Sequence, residues 1–371
     1  MRILHFYKTS ILDSTGGTEQ FIHQLACGLA KEGFKVDVLS LTSKNNVGTR
    51  ETAGYLSHRA RLDFEIASTG FSVSAILRFA ELAKNADLIH YHFPWPFMDI
   101  LHFACRIKKP TLVTYHSDVI RQKYWLKLYR PLKTFFLKSV NRIVVTSPNY
   151  IRSSEILVKY KKKINIIPIG LNEKSYLTPS AKKMTFWRER LERKFFLFVG
   201  VLRYYKGLHI LLEAAKGCDY PIVIVGSGPI EKELKLQALK LGLNNIHFLG
   251  YLSEEDKVAL LILCFGVLFP SHLRSEAFGV SLLEGAMYSK PMISSEIGTG
   301  TSFINISGQT GLVVPPSDPL ALRHAMQYLW EHPKEAEKMG RNAKKRFRKH
   351  FTSERMVRSY ADLYGQLIKA N

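Results

Sequence analysis

Short apolar runs alternate along this chain with longer segments in which apolar positions recur every three or four residues. The short runs are rich in valine, isoleucine, leucine and phenylalanine, as buried β-strands are. The longer segments have the period of amphipathic helices. Regular alternation of the two is typical of a parallel sheet covered by helices, so the pattern predicts an α/β protein.

The predicted elements fall into two consecutive series. The first series of strands is Ile3–Lys8, Val36–Leu41, Asp87–Tyr91, Thr111–Tyr115, Arg142–Thr146 and Ile164–Ile169. The second is Phe195–Val201, Pro221–Val225, Ile246–Leu249, Gly266–Pro270, Pro291–Ser294 and Gly311–Val314. The predicted helices include Glu19–Glu32, Ser74–Asn85, Leu208–Lys216, Glu231–Leu241, Val280–Ser289 and Leu320–Glu331. Each series contains its own strand–helix units, which favours two doubly wound, Rossmann-like domains over one large sheet.

The boundaries follow from the least periodic part of the chain. Residues 171–194 are polar, contain Pro179 and Ser180, and are predicted to link a first domain at 1–170 to a second at 195–352. A helix at 353–371 follows and can pack on either domain, including back on the first.

Length and composition exclude several classes of protein. The chain has 371 residues, of which 46% are hydrophobic and 23% charged, too apolar for a disordered protein. The longest apolar run, Val258–Phe269, is well short of the roughly 20 residues that span a bilayer. The N-terminal apolar stretch is too short for a signal peptide, and the four cysteines are scattered singly, so we expect a cytoplasmic protein without disulfides.

The charge changes this picture, because 53 basic residues against 31 acidic ones give a formal net charge of +22. Such a charge needs an anionic partner: nucleic acid, an anionic membrane or a phosphorylated substrate. Residues 106–163 hold 15 lysines and arginines but only two acids, which is a net charge of +13. No recognised nucleic-acid-binding module accompanies them, so we expect no nucleic-acid partner.

One basic segment, 119–138, mixes cations with aromatic residues, a composition that suits the interface of an anionic membrane. An amphipathic helix with a solvated basic face is the alternative. The candidate membrane-facing residues are Arg121, Lys123, Trp125, Lys127, Arg130 and Lys133.

Candidate ligand-binding residues follow the strands, where open α/β sheets bind ligands. Gly16 and Gly17 precede a helix and would let a phosphate approach its N-terminus, although a turn capped by Thr18 is equally compatible. Arg203 and Lys206 form a candidate diphosphate clamp, with a solvated turn as the alternative. Gly226 opens a Gly-x-Gly that lacks the third glycine of the dinucleotide fingerprint.

Two glutamates eight residues apart form the strongest constellation. We expect Glu276 in a loop, where it would bind sugar hydroxyls, and Glu284 on the helix behind it, where it would reach a ribose diol. The backbone amides of Phe278, Gly279 and Val280 would hold phosphate between them. Glu284 alone is also compatible with an ordinary exposed helix residue.

Three histidines, His90, His92 and His116, lie at or just beyond strand ends. Alternation along the strand puts His90 and His92 on one face, which invites a zinc site. No acidic helper motif of the His-x-Glu kind accompanies them, so we predict no metal. A single histidine that hydrogen-bonds a sugar is the more economical role, and His116 is the better candidate.

Together these motifs resemble the retaining glycosyltransferases of family four. The motifs, in chain order, are Gly16-Gly17-Thr18-Glu19, His116, Ile167-Pro168-Ile169-Gly170, Arg203 with Lys206-Gly207, Gly226-Ser227-Gly228-Pro229, and Glu276-Ala277-Phe278-Gly279 with Glu284. The resemblance covers essentially the whole chain. It implies the glycosyltransferase B fold, in which two Rossmann-like domains face each other across a cleft.

The resemblance also implies roles for individual residues. The second domain would hold a nucleotide-sugar donor and the first domain the acceptor. Arg203 and Lys206 would neutralise the diphosphate without a metal or other cofactor. Glu276 and His116 would act on the sugar, Glu284 on the ribose, and Gly17 near the phosphate. Further donor contacts would come from Gly226 and from Tyr251 and Leu252, which would border the base. The loop after Pro291–Ser294 departs from the family pattern, because it lacks an acidic residue often found there.

The expected reaction is sugar transfer with retention of anomeric configuration through an oxocarbenium-like state. Glu276 as a nucleophile is the alternative.

The sequence is most similar to bacterial mannosyl- and rhamnosyltransferases of O-antigen assembly. This similarity implies GDP-mannose as donor, a polyprenyl-diphosphate-linked glycan as acceptor, and a peripheral position on the inner face of the cytoplasmic membrane. A UDP-sugar-dependent transferase, an epimerase of the same fold and a non-catalytic nucleotide-sugar-binding protein are the alternatives.

Overall fold

A computed structural model describes residues 1–14, 16–66, 69–118, 123–191 and 194–370, without the side chains of 123–128. The chain forms two compact units. The first comprises residues 1–170 together with 353–371, and the second comprises residues 171–352.

The first unit is built on an eight-stranded sheet. Its strands are β1 (Arg2–Phe6), β2 (Lys35–Thr42), β3 (Gly48–Thr52), β4 (Tyr55–Arg61), β7 (Leu88–Phe93), β8 (Thr111–Tyr115), β9 (Arg142–Val145) and β10 (Ile164–Ile166), with a separate hairpin of β5 (Phe64–Ile66) and β6 (Thr69–Phe71). The order is β10-β9-β8-β7-β1-β2-β4-β3, parallel except between β3 and β4. Strand β1 lies between β2 and β7. Strands that follow in the chain are added first on the β2 side of β1 and then on the β7 side, so a topological switch point lies between β1 and β7.

The described part of this unit contains six α-helices and a 3-10 helix at Leu157–Lys163. The α-helices are α1 (Gly17–Lys31), α2 (Val73–Asn85), α3 (Pro96–Ala104), α4 (Lys123–Ser139), α5 (Pro148–Ser153) and the C-terminal helix, Ser353–Lys369. The C-terminal helix packs here because Tyr360 and Tyr364 are fully buried and hydrogen-bond to Thr114 and His90 of the sheet, at 2.8 and 2.7 Å.

The second unit has a six-stranded parallel sheet. Its strands are β11 (Phe196–Val199), β12 (Ile222–Val225), β13 (Ile246–Gly250), β14 (Gly266–Phe269), β15 (Met292–Ser295) and β16 (Gly311–Val314). The order is β13-β12-β11-β14-β15-β16, so the switch point lies between β11 and β14. Its helices are α6 (Ala181–Leu191), α7 (Leu208–Ala215), α8 (Glu231–Lys240), α9 (Glu254–Leu263), α10 (Val280–Met287), α11 (Thr301–Ile304), α12 (Pro319–Glu331) and α13 (Pro333–His350).

The structure has the predicted α/β architecture with two doubly wound units, and every predicted strand is present with ends shifted by at most a few residues. Residues 171–194, predicted as a linker, are counted with the second unit and include α6. The helix forms because Trp187 is buried and its indole N–H donates to Asp256 of α9 at 2.9 Å. The pair β3–β4 was not predicted, because β3 is a polar edge strand with almost every residue exposed.

Candidate active site

The two loops at the switch point of the second unit pack directly on each other. After β11 a 3-10 turn at Tyr204–Lys206 leads through Gly207 into α7. Gly207 has a φ of +72°, and a Cβ there would overlap the carbonyl oxygen of Pro270 in the loop after β14. Glycine at this position therefore allows the β11 loop to meet the β14 loop that carries Glu276.

The contact joins two of the predicted site residues, since Lys206 forms an ion pair with Glu276. Both side chains are only 12% exposed, and the Lys206 ammonium also lies 4.9 Å from the centre of the Phe269 ring. Ser271 donates a hydrogen bond to the same Glu276 carboxylate at 3.3 Å. Because water is largely excluded, the pair is held in one geometry with its charges weakly screened.

Arg203 lies at the start of the same turn but is exposed, and it forms no ion pair with any residue that the structure describes. The loop thus presents one cation held by a carboxylate and a second that is available to an incoming anion. This arrangement fits the predicted diphosphate clamp.

The glycines after β12 allow two backbone segments of this site to lie in contact. Gly226 donates its amide to Gly250 at 2.7 Å, and a Cβ on Gly226 would overlap the carbonyl oxygen of Gly200 in the β11 loop. A Cβ on Gly228 would likewise overlap the backbone of Leu202. Both glycines therefore let the β12 loop lie against the loop that carries Arg203.

We expect Gly226→Ala to destabilise the protein by about 3 kcal/mol, from overpacking against Gly200 and an unfavourable positive φ. Gly217→Ala is the matched control, since Gly217 also has a positive φ but has nothing within 4 Å of a Cβ. The control should lose only about 1 kcal/mol. Urea unfolding of both variants measures the difference, and equal losses would refute the role given to Gly226.

Glu276 and Glu284 lie as expected, one in the β14 loop and the other on α10. Gly279, with a φ of +103°, is the N-cap of α10, and helix geometry leaves the first amides of α10 without intrahelical partners. The amides predicted to hold phosphate therefore include those of the helix N-terminus. The Phe278 side chain is buried, so only its backbone is available to a ligand.

Glu284 is 5% exposed, which excludes the alternative of an ordinary surface residue. One of its carboxylate oxygens accepts hydrogen bonds from Lys257 at 2.9 Å and from Tyr176 at 3.1 Å. Burial lowers the pKa of Lys257, but Glu284 and Glu254 outweigh burial and raise it above its ordinary value. Burial and Glu284 together raise the pKa of Tyr288 to about 12. Lys257 and Tyr176 were not predicted, because they come from α9 and from residues before α6 and only the tertiary structure brings them to Glu284.

The two residues predicted to border a base follow β13. Tyr251 is 80% exposed and Leu252 is half-buried. An exposed aromatic ring at the carboxyl end of a strand is free to stack on a base, as the prediction requires.

In the first unit, the loop after β1 leads into α1. The helix begins at Gly17, with Gly16 as its N-cap, so the alternative of a turn capped by Thr18 is wrong. A Cβ on Gly17 would have nothing within 4 Å, so the helix N-terminus is open at this point. Glu19 in the first turn is buried and accepts a hydrogen bond from the Thr9 hydroxyl.

The histidines of the first unit form a hydrogen-bonded cluster that includes His5, which was not predicted. His92 contacts His116 and His5, at nitrogen–nitrogen distances of 3.1 Å each. His90 lies beside His92, with ring centres 4.3 Å apart, as the alternation along the strand predicted. Burial lowers the pKa of both His5 and His116 to about 3, so these rings are neutral at physiological pH.

His5, His90 and His92 bring their ring nitrogens within 4.8 Å of one another, as three metal ligands would. However, His90 bonds Tyr364 through Nδ1 and Thr114 through Nε2, both at 2.7 Å. Among the described residues, only Nε2 of His5 in this trio lacks a hydrogen-bond partner. The other ring nitrogens of the trio already form hydrogen bonds, so the three histidines fit a hydrogen-bonded network better than a metal site.

The predicted membrane-facing residues that the structure describes differ in their exposure to solvent. Arg130 of α4 is exposed, as expected. Lys133 is only 9% exposed, so its prediction as a membrane-facing residue is wrong: its side chain is buried near Asp118 and Asp99. Burial, together with Arg130 and Lys159, lowers the pKa of Lys133 more than these carboxylates raise it. Arg121 and the side chains of Lys123, Trp125 and Lys127 lie outside the described part of the chain.

The same helix exposes a large apolar side chain, since Phe135 is 66% exposed five residues after Arg130. Within the described residues, no helix has both the length and the apolar character that a transmembrane span requires.

Models of two protein families match the chain, one in each half. Residues 15–175 match "Glycosyltransferase Family 4", and residues 180–346 match "Glycosyl transferases group 1".

Two bacterial relatives match over nearly the full length. The D-rhamnosyltransferase WbpZ of Pseudomonas aeruginosa is 58% identical over 95% of this chain and 93% of its own. The O-antigen chain mannosyltransferase C of Escherichia coli is 48% identical over the whole of both chains.

Solved structures of the same fold include sucrose-phosphate synthase from Thermosynechococcus elongatus, with a TM-score of 0.83 at 23% identity over the whole of both chains. HepE of Anabaena in complex with UDP has a TM-score of 0.78 at 17% identity, over 99% of this chain and 100% of its own. The two units are thus Rossmann-like domains of the glycosyltransferase B class.

Proposed function

This chain belongs to the group 1 glycosyl transferases, with a family 4 first domain, and from that premise we propose that it transfers mannose from GDP-mannose to a lipid-linked glycan. As a glycosyltransferase it binds a nucleotide-sugar donor and a glycan acceptor. The observation that carries the proposal is the Lys206–Glu276 pair at the switch point of the second unit, beside the exposed Arg203. An epimerase and a non-catalytic binding protein are less well supported, because both full-length relatives are named as transferases.

The donor diphosphate would be bound by this chain's own cations and amides. Arg203 would bind phosphate oxygens through its guanidinium fork, and Lys206 would act as a compact charge beside it. The free amides at the start of α10 would add hydrogen bonds and the positive end of the helix dipole. These groups would stabilise the negative charge that develops on the leaving diphosphate, which is the work a metal performs in other transferases.

The chemistry we propose retains the anomeric configuration. The bond between the anomeric carbon and the phosphate oxygen breaks, and the anomeric carbon bonds to the acceptor oxygen on the same face. The acceptor proton passes to the departing phosphate oxygen. Glu276 would bind the sugar hydroxyls and, through its negative charge, stabilise the oxocarbenium-like state, while Glu284 would bind the ribose. His116 would hydrogen-bond the transferred sugar.

The names of the relatives support a sugar of manno configuration, because D-rhamnose is 6-deoxy-D-mannose. Identity to the D-rhamnosyltransferase, 58%, exceeds identity to the mannosyltransferase, 48%. GDP-D-rhamnose is therefore a candidate donor beside GDP-mannose.

The donor is tested by the thermal shift of the purified chain with GDP-mannose, GDP-D-rhamnose, UDP-glucose and ADP-glucose. A ligand present at 100 times its Kd stabilises the folded state by about 2.7 kcal/mol, which a melting curve resolves. We expect the larger shifts with the two GDP-sugars. A shift with UDP-glucose alone would refute the proposed donor.

We further propose that the basic first unit holds the enzyme on the inner face of the cytoplasmic membrane, where a polyprenyl-diphosphate-linked acceptor of O-antigen synthesis would lie. The net charge of +13 in residues 106–163 supports this position, as do the exposed Arg130 and Phe135 on one helix. Each cation near an anionic bilayer contributes about 1 kcal/mol to binding.

Vesicle flotation tests this position. We expect the chain to float with phosphatidylglycerol vesicles and to stay behind with phosphatidylcholine vesicles. Arg130→Glu should lower the partition coefficient about tenfold or more, because it removes one cation and adds one repelled charge. Lys232→Glu, an exposed position of the second unit, is the matched control and should float as the wild type does. Equal flotation with both lipids would refute the membrane proposal.

A further inference from the structure

A row of three histidines runs from the end of β8 into the core of the first unit. Nε2 of His116 faces Nδ1 of His92, and Nε2 of His92 faces Nδ1 of His5, each pair 3.1 Å apart. The rings of neighbouring members are stacked, with centres 5.4 and 5.3 Å apart. His5 and His92 lie on β1 and β7, and His116 directly follows β8; these three strands are adjacent in the sheet.

Every ring in the row is neutral, because His5 and His92 have no exposed surface and burial lowers the pKa of all three histidines. A neutral imidazole carries one N–H and one lone pair, so each ring can donate only once and accept only once. The direction of one hydrogen bond in the row therefore fixes the direction of the other.

Only two arrangements of protons satisfy both hydrogen bonds. If the bonds point outward, His5 donates to His92, His92 donates to His116, and His116 carries its proton on Nδ1. If they point inward, His116 donates to His92, His92 donates to His5, and His116 has a bare lone pair on Nδ1. The two arrangements differ in what is left at the buried end, Nε2 of His5: a lone pair in the first and an N–H in the second.

The surroundings of Nε2 of His5, at the buried end of the row, favour one of the two proton arrangements. Nε2 of His5 is buried and has no partner among the described residues. The neighbouring ring of His90 cannot accept from it, because both of its nitrogens already bond Tyr364 and Thr114. Among buried backbone groups an N–H without an acceptor is rarer than a carbonyl without a donor, and we apply the same order to the ring nitrogens. The outward arrangement is therefore the stable one.

We propose that His92 and His5 are positioning residues that fix His116 as a neutral ring with its proton on Nδ1. That nitrogen forms no hydrogen bond with any described residue, so it is available to a ligand. His116 then donates to an oxygen of the substrate and does not act as a general base. This role rests on the proposed transferase function and agrees with the acceptor proton leaving on phosphate.

The proton position is measured by 15N NMR of the histidine-labelled chain, in which one-bond N–H coupling separates protonated from bare ring nitrogens. His116→Gln removes and so assigns the signals of His116. We expect Nδ1 of His116 to be protonated and Nε2 to be bare in the wild type. The opposite assignment would overturn the proposal.

The role of His92 is tested by His92→Phe, which keeps an aromatic ring in the stack and removes both hydrogen bonds. We expect His116 to lose its single tautomer and kcat to fall about tenfold, the worth of one net hydrogen bond, while KM for the donor stays unchanged. His102→Phe is the control, since His102 is also a buried histidine of the first unit but bonds Tyr91 and Ser139. It should leave the His116 signals and kcat unchanged.

Two outcomes would overturn the positioning role: an unchanged His116 tautomer in His92→Phe, or an equal loss of kcat in His102→Phe. The NMR result does not depend on turnover. A correctly protonated His116 in a chain that transfers no sugar would therefore count against the proposed function and leave the histidine row intact.

Discussion

Glu276→Gln lowers kcat for sugar transfer by about 100- to 1,000-fold, the typical cost of removing one preorganised electrostatic group from a transition state. The substitution keeps the shape of the side chain but removes its negative charge. That charge is paired with Lys206 in a largely buried position and would stabilise the oxocarbenium-like sugar. Steady-state transfer of radiolabelled sugar to the acceptor measures the loss.

The matched control is Glu233→Gln, an exposed glutamate on α8, which should keep wild-type kcat. Full turnover by Glu276→Gln would exclude Glu276 from the reaction. If Glu276 were instead a nucleophile, mass spectrometry of the wild type with donor alone would detect a glycosylated Glu276, and we expect none.

The second large effect concerns donor binding. Arg203→Ala and Lys206→Ala should each raise the Kd for the nucleotide sugar by roughly 10- to 100-fold, because each removes a hydrogen bond to a charged phosphate. Isothermal titration with the GDP-sugar measures both. The effect of Lys206→Ala includes the cost of leaving Glu276 without its cation.

Lys232→Ala removes an exposed cation from the same unit and controls for the loss of overall charge. It should leave the Kd within about twofold, since an exposed charge outside the proposed clamp is screened by salt. Unchanged donor affinity in both Arg203→Ala and Lys206→Ala would rule out the diphosphate clamp.

Much of the fold could be predicted because the strands are buried on both sides and so stand out as apolar runs. The six strands of the second unit match the predicted ones within two residues at each end. The strands β3 and β4 escaped prediction because partner strands, not composition, hold them in the sheet. The helix α6 escaped for a similar reason, since its one buried residue, Trp187, is a weak signal in a polar segment.

The site residues that could be predicted are those that follow a strand directly in the sequence. Lys206 and Glu276 lie in the loops that follow the adjacent strands β11 and β14, so topology alone brings them to one edge of the sheet. Lys257 and His5 were not predictable, because each becomes a partner of a site residue only when distant segments pack. Lys133 was predicted to be exposed because it is a lysine in a basic helix. In the structure it is buried near Asp99 and Asp118, which the sequence of the helix alone does not indicate.

One measurement tests the proposed reaction most directly: the anomeric configuration of the product made by the full chain from GDP-α-D-mannose and a polyprenyl-diphosphate-linked glycan in the presence of EDTA. The one-bond carbon–hydrogen coupling at the new anomeric centre, read by NMR, distinguishes the two configurations. We predict an α-linked mannose, formed at the same rate with and without the chelator. A β-linked product, or transfer that EDTA abolishes and a divalent metal restores, would contradict a retaining transferase whose own cations bind the diphosphate.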